Sequence, residues 1–433
     1  MTGYFHSVRL DESKCRGCTN CIKTCPTEAI RVRDGIAVID TRRCVDCGHC
    51  IKICPNRAKS TFTDERSVMD RFKYRVALPA PSFFAQFRSD IAPGRVVAAL
   101  RHAGFTHVYE VGYAARAVAR AIAAHVEGAT GPFPLISTSC PVVVRLLQVR
   151  FPDLLRNVVP IEAPMEVAAY LARAEVMNET GCADEEIGVF FLTPCPAKVT
   201  AVHQPVGQNR SRVNGAFSIA DIYPEIFHLL ERVIEPDPVR SGPVGLNWAR
   251  AGGESEDVNL AEYLAIDGLD NIIELFEEVE LGRLRNLRFI EAQSCPGGCV
   301  GGILTVENPF IAKVRLGRLA KTLPDVPFDM SSLPPEELRI RQDLSPRPIL
   351  SLDADFAEAV RKMSEIDRLL ELLPMLDCGA CGAPNCRALA EDIVRGEAEM
   401  KDCLIDLRQQ TQTKEPDHAD AAGSGMVKGE DQR

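Results

Sequence analysis

No run of eighteen apolar residues occurs anywhere in the 433-residue chain. The most hydrophobic helical stretch, 114–126, is interrupted by Arg116, Arg120 and His125, so no segment is expected to span a membrane. The first residues, Met1-Thr2-Gly3-Tyr4-Phe5-His6, hold neither a charged n-region nor an apolar h-region, and no secretory signal is expected. Basic excess is missing as well. With a formal net charge of −10 the chain lacks the cationic surplus that phosphate neutralisation demands, which argues against nucleic acid as a partner. What remains is the composition of an ordinary soluble protein, long enough for two or three domains and expected in the cytoplasm.

Cysteine is the residue in surplus. Seventeen of them in one chain favour metal binding over disulfides, because a reducing compartment keeps the thiolate available as a ligand. Sixteen fall into four sets of four. Two sets, Cys15, Cys18, Cys21, Cys25-Pro26 and Cys44, Cys47, Cys50, Cys54-Pro55, share the spacing C-x2-C-x2-C-x3-C-P, the bacterial ferredoxin run for [4Fe-4S] clusters. In tandem runs the fourth cysteine ligates the other cube. One cluster is therefore expected on Cys15, Cys18, Cys21 and Cys54, and a second on Cys44, Cys47, Cys50 and Cys25. Zinc fits poorly, since paired knuckles have no use for a third closely spaced cysteine. Between the runs, Ile30 to Ile39 alternates around Asp34-Gly35 and predicts a β-hairpin. Arg42, Arg43, Arg57 and Lys59, near these loops, read as solvated surface or as a docking patch for an acidic electron carrier.

The pattern along the chain predicts an α/β domain flanked by an α+β bacterial ferredoxin-like domain on its N-terminal side and a small helical 4Fe-4S domain on its C-terminal side. The ferredoxin-type domain takes residues 1–62. Over 70–323, β-rich runs such as 188–193 and 287–292 alternate with helical stretches such as 95–103 and 162–176. Both of those strands end on a cysteine loop, where open α/β sheets place ligands. Residues 324–353, rich in proline and charge, read as a linker or an arm wrapped on the surface. A helix from about Ala354 to Leu373 leads into Cys378, Cys381, Cys386 and Cys403, a C-x2-C-x4-C-x16-C set that suits one further [4Fe-4S] cluster within 354–406. The tail, 407–433, holds almost no large apolar residues and is expected to be disordered.

The last set is dispersed over three loops, and such ligands converge only through a fold. From spacing alone Cys140, Cys195, Cys295 and Cys299 suit one buried cube, with Gly297, Gly298, Gly301 and Gly302 letting the backbone pass close to a bulky cofactor. The segments Thr138-Ser139-Cys140-Pro141, Pro194-Cys195-Pro196-Ala197-Lys198 and Cys295-Pro296-Gly297-Gly298-Cys299-Val300-Gly301-Gly302 resemble, in order, the three signatures of the catalytic domain of [FeFe]-hydrogenases. The resemblance covers roughly 75–320, with support from Gly131-Pro132-Phe133-Pro134, Ala163-Pro164 and Gly252-Gly253. It implies an H-cluster: a cube on Cys140, Cys195, Cys295 and Cys299, with Cys299 bridging to a two-iron unit that carries CO, cyanide and a bridging dithiolate. It also implies that Lys198 donates to a cyanide, that H2 and protons are the reactants, and that H-cluster maturation proteins are partners.

Several residues depart from that family's pattern. Where its vigorous members have a second cysteine as proton donor, this chain has Ser139, a far weaker acid. The glutamates of the family's proton route lie on the helix before Gly-Pro-Phe-Pro, yet here the helix holds no carboxylate until Glu127, and Val158-Val159-Pro160 stands where a serine follows. Thr193 and Gln293 replace flanking methionines. The trailing cysteine set resembles the small four-iron domain of Rnf-type subunits and of sensory [FeFe]-hydrogenases, so the whole chain resembles the sensory branch. Members of that branch often continue into a PAS or phosphatase module; here the signal is expected to pass to a separate protein. The expected function is a hydrogen-sensing protein or slow hydrogenase passing electrons between an H-cluster and three accessory [4Fe-4S] clusters, read by an electron carrier or by a signalling protein of kinase or phosphatase type. An iron-sulfur assembly scaffold, or an electron-transfer protein without the two-iron unit, is the alternative. Cys182 reads as a packed thiol, His49 and His203 as surface histidines, and Met165 as a hydrophobic contact of the pocket or the core.

Overall fold

The computed structural model describes residues 4–347 and 349–405, and the tail at 407–433 lies outside them. The chain divides into two units, Met1–Ser351 and Leu352–Arg433.

The first unit opens with the two cysteine runs. Strand β1 (Val8–Leu10) pairs antiparallel with β4 (Lys59–Thr61), and β2 (Ile30–Arg33) with β3 (Ile36–Ile39). Asp34 and Gly35 connect β2 to β3 with φ of 51° and 76°, the two positive values that a tight hairpin turn requires. Short helices, Asn20–Lys23 and His49–Ile53, follow the first cysteines of each run, and Val8, Ile22, Ile30 and Ala37 form a small core with Cys21 and Cys50. Of the basic residues read as surface, Arg42 and Arg57 are exposed, but Lys59 is only 4 % and Arg43 only 6 % exposed. The pairing of β4 with β1 turns Lys59 inward, and Arg43 folds back on Asp40 at 3.7 Å.

Two parallel sheets carry the central domain. One has the order β6-β5-β8-β9, built from β5 (Tyr74–Pro79), β6 (His107–Val108), β8 (Ile187–Thr193) and β9 (Gly215–Ser218). The other has the order β10-β11-β7, built from β7 (Leu135–Ile136), β10 (Tyr263–Asp267) and β11 (Phe289–Gln293). Every residue of β7, β8, β9 and β11 is buried, as parallel strands covered on both faces must be. The helices Pro93–His102 and Pro164–Thr180 start at proline, whose missing N–H is no loss in a first turn. Gly181, at φ 68°, ends the second of them.

The segment read as a linker is stitched to this domain up to Arg347. Phe328, Leu333 and Leu338 enter the core, Ile161 bridges to Arg339, and Arg347 donates to the carbonyl of Arg42 at 2.7 Å. In the second unit, helices Phe356–Leu372 and Cys386–Val394 pack through Ile366, Leu369, Ala388 and Leu389. Asp355 and Asn385 cap them by accepting from the N–H groups of Glu358 and Ala388.

Candidate metal centre

Three loops leave the carboxyl ends of parallel strands β7, β8 and β11 and carry Cys140, Cys195 and Cys295, with Cys299 a turn further on. Pro141 and Pro196 open the helices Pro141–Arg150 and Pro196–His203, so Cys140 and Cys195 stand at helix N-termini, where amide N–H groups favour a thiolate. The four side chains meet. Burial, and then the neighbouring Cys195, Cys299 and Cys140, push the Cys295 thiol well above its ordinary range. Burial likewise pushes Cys299 up to about 12, against the pull of Lys198. Lys198 is held above its ordinary value although burial works the other way, because Cys299, Cys195, Cys140 and Cys295 all surround it. Its Nζ donates to the Ser139 carbonyl at 3.0 Å.

Four mutually interacting thiols, one buried and three half-buried, about one ammonium are a costly arrangement for free protein. A metal–sulfur cluster resolves it, since the bound metal takes the thiolate form and the lysine then faces anionic sulfur. The residues thus fit a cube of the kind expected. The adjoining cavity is lined by Pro81, Ser139, Met165, Lys198, Trp248 and Gln293, among others, and Ser139 Oγ there is buried and makes no hydrogen bond of ordinary geometry. Met165 serves both as a wall of this cavity and as core. The glycines of the third loop meet protein. A Cβ on Gly301 would stand 2.2 Å from the Pro296 carbonyl oxygen, and one on Gly302 2.3 Å from that of Pro194. Their smallness lets the third loop fold tightly on itself and close on the Cys195 loop.

Sequence reasoning missed the carboxylates beside this cavity. Glu254 and Glu291 are 1 % and 0 % exposed. Ser137 Oγ donates to Glu254 at 2.6 Å, and the Ser139 N–H donates to Ser137 Oγ at 3.1 Å. Burial, then the neighbouring Glu291, pushes Glu254 up to about 8, and Glu291 is also raised by burial. Gln293 bonds Glu291 at 2.8 Å through Nε2 and accepts from the Cys299 N–H at 3.2 Å through Oε1, joining the pair to the cluster loop. A signal existed: Glu291 falls among the apolar Phe289, Ile290 and Ala292, and Glu254 follows the Gly252-Gly253 pair. The helix Val111–Gly128 holds no carboxylate before Glu127.

The ferredoxin cysteines gather around two small cavities, one bounded by Cys25, Cys44, Cys47 and Cys50 and the other by Cys15, Cys18, Cys21 and Cys54. His49 borders the first, and burial pushes it down. His203 pairs with Asp64 at 3.0 Å. In the second unit Cys386 and Cys403 are buried, Cys381 packs on the same core and Cys378 is exposed. Cys182 packs at the edge of the central core.

A family model described as iron only hydrogenase large subunit, C-terminal domain, matches residues 73–219 and 244–303. The central domain is thus of the [FeFe]-hydrogenase large-subunit type, and the match includes all four cysteines of the central site. A 4Fe-4S dicluster domain model matches 7–55, and an Fe-S cluster model matches 373–405. Among curated relatives, the NADP-reducing hydrogenase subunit HndD of Solidesulfovibrio fructosivorans is 25 % identical over 68 % of this chain and 56 % of its own length. Iron hydrogenase 1 of Clostridium pasteurianum is 24 % identical over 68 % of this chain and 64 % of its own. The chain therefore spans less than two thirds of these relatives. A variant of the [FeFe]-hydrogenase HydA1 of Chlamydomonas reinhardtii shares the fold at a TM-score of 0.51 and 13 % identity, over 66 % of this chain and 99 % of that one. Among the described residues no helix is long and apolar enough to cross a membrane.

Proposed function

We propose that this chain is a slow, hydrogen-responsive member of the [FeFe]-hydrogenase family, in which electrons move between the central site and the ferredoxin cubes and a partner reads their redox state. The observation that carries the proposal is the meeting of Cys140, Cys195, Cys295 and Cys299 around Lys198, beside a cavity in which the Ser139 hydroxyl adjoins Cys140. Cys140, Cys195 and Cys295 would hold the cube, Cys299 would hold cube and two-iron unit together, and Lys198 would supply a fixed positive charge. When bound, that unit supplies the interconversion of H2 with protons and electrons. The Ser139 and Ser137 hydroxyls both act on Glu254, so Ser139, Glu254 and, behind it, Glu291 would form a chain of groups able to hand a proton from the cavity toward the carboxylate pair. A hydroxyl at its inner end makes the chain slow, because its acidity is far below that of a thiol.

Electrons would leave by the cube on Cys25, Cys44, Cys47 and Cys50, whose loop packs on the Cys195 loop, and pass to the cube on Cys15, Cys18, Cys21 and Cys54, where Cys18 is exposed. The cube on Cys378, Cys381, Cys386 and Cys403 would be a further station. The partner would be an electron carrier or a signalling protein of kinase or phosphatase type in the cytoplasm, and the host would supply H-cluster maturation proteins.

A cluster-assembly or electron-carrier role without the two-iron unit is the second reading, favoured by the Lys198 to Ser139 bond, which satisfies the ammonium within the protein. Anaerobic maturation followed by infrared spectroscopy separates the two. Bands of bound CO and cyanide, with slow exchange between H2 and D+, support the first reading; iron-loaded protein with neither supports the second.

A further inference from the structure

The two halves of the ferredoxin module repeat one another down to single bonds. The Ala29 N–H donates to Cys25 Sγ at 3.2 Å and the Ala58 N–H to Cys54 Sγ at 3.3 Å, while Glu28 and Arg57, each just before, both have φ of 50°. The next residue in each half is Ile30 and Lys59, both buried, at 2 % and 4 % exposure. Ile30 faces the cavity of Cys25, Cys44, Cys47 and Cys50. Lys59 faces that of Cys15, Cys18, Cys21 and Cys54. At this buried pair the symmetry is broken by a full charge, and Lys59 Nζ is buried with no hydrogen-bond partner.

A buried ammonium without an acceptor or counter-ion is strongly disfavoured unless an anion sits against it. The Lys59 charge acts on Cys15 and Cys21, and on Cys50 across the module. The cube these thiolates would hold is the anion that completes its environment. Among the described residues, no lysine or arginine lines the other cavity. The buried acid beside it, Asp46, is paired with His6 at 2.8 Å. Reduction adds one negative charge to a cube, so a fixed positive charge against one cube of a pair raises the potential of that cube first.

We infer that Lys59 is a potential-setting residue: its buried ammonium makes the cube on Cys15, Cys18, Cys21 and Cys54 the better electron acceptor of the ferredoxin pair, so electrons leaving the central site come to rest at the outer cube. This rests on the two-cube reading of the module. It gives the electron path a direction, away from the central site and toward the exposed Cys18. Lys59 thereby holds the reduced state where a partner can read it.

The test is a redox titration of the full-length, iron-loaded chain followed by electron paramagnetic resonance. Cys18→Ser identifies the signal of the outer cube by changing its g-values. Lys59→Met should shift the electron partition between the two ferredoxin cubes at least tenfold toward the inner one, a change of about 59 mV for a one-electron couple. Lys59→Arg should keep the native partition. Ile30→Lys should raise the inner cube instead, and it serves as the test if Lys59→Met fails to assemble. Iron and sulfide content decide separately whether both cubes are present. Two intact cubes whose partition is unchanged in Lys59→Met, or in Ile30→Lys, would overturn the inference without touching the two-cube reading.

Discussion

Gly48, in the loop between Cys47 and Cys50, lies against Pro196, the residue after Cys195. A Cβ on Gly48 would stand 3.1 Å from Pro196 Cγ and 2.8 Å from Ile303 Cγ1. The inner ferredoxin loop and a loop of the central site therefore touch with no room for a side chain. Gly48 also has φ of 77°, so alanine adds backbone strain of roughly 1–2 kcal/mol. Gly35 provides a control, with φ of 76° and nothing within 4 Å of its added Cβ. Gly48→Ala is expected to lower stability more than Gly35→Ala and, alone of the two, to slow reduction of the ferredoxin cubes from the central site. Denaturant unfolding and stopped-flow absorbance measure the two effects; equal behaviour of both variants would remove the loop contact from the electron path.

Ser139 invites a gain-of-function test. Its Oγ is buried and makes no hydrogen bond of ordinary geometry, its polar neighbour being Glu254, which a larger, more acidic thiol would also face. General acid catalysis by a well-matched group contributes about 10²–10⁴-fold. Ser139→Cys in matured protein is expected to raise H2 production by roughly 100-fold, toward the low end of that range because the rest of the chain through Glu254 is unchanged. Ser139→Ala should lower it. A Ser139→Cys protein no faster than its parent would show that proton supply at this position does not limit the rate.

The ferredoxin hairpin and the sixteen grouped cysteines were legible in sequence because they depend on local spacing. Asp34-Gly35 needs only its neighbours to make a turn. The convergence of Cys140, Cys195 and Cys295 was legible only through resemblance, since three strands of two sheets bring those loops together. Glu254 and Glu291 were missed for the same reason: their partnership lies between a helix start and a strand 36 to 39 residues away. Lys59 was misread because a lysine after a cluster run is ordinarily surface, and only the pairing of β4 with β1 turns it inward.

Lys198 forms no ion pair with a carboxylate among the described residues, and its charge is sustained by the four surrounding sulfurs. Lys198→Met keeps the stem and removes that charge. The thiolates then lose their nearest cation, and retention of iron at the central site is expected to fall about 10–100-fold, the range seen when a supporting residue behind metal ligands is removed. The ferredoxin cubes should be untouched. Iron analysis with Mössbauer spectroscopy checks both statements, and full central occupancy in Lys198→Met would mean that the four thiolates suffice.

The buried pair Glu254 and Glu291 makes stability depend on pH in a defined direction. Burial and the second carboxylate raise Glu254 from its ordinary 4.5 to about 8. Below about 4.5 the folded and unfolded chains both hold the proton, and the contribution to stability is fully present. Between about 4.5 and about 8 the unfolded chain has released it while the folded chain keeps it, so stability falls as pH rises, by at most about 1.4 kcal/mol per pH unit. Glu162, raised to about 7 chiefly by burial, adds a slope of the same sign, so the informative quantity is the difference between parent and variant. Glu254→Gln keeps a hydrogen-bonding partner for Ser137 and removes the proton exchange. Its unfolding free energy should vary less steeply than the parent's between about pH 5 and about pH 8, and its H2 exchange rate should fall at every pH in that window. Parallel stability profiles would mean that Glu254 is ionised in the folded chain, which would leave the carboxylate pair unable to store the proton that Ser139 passes on.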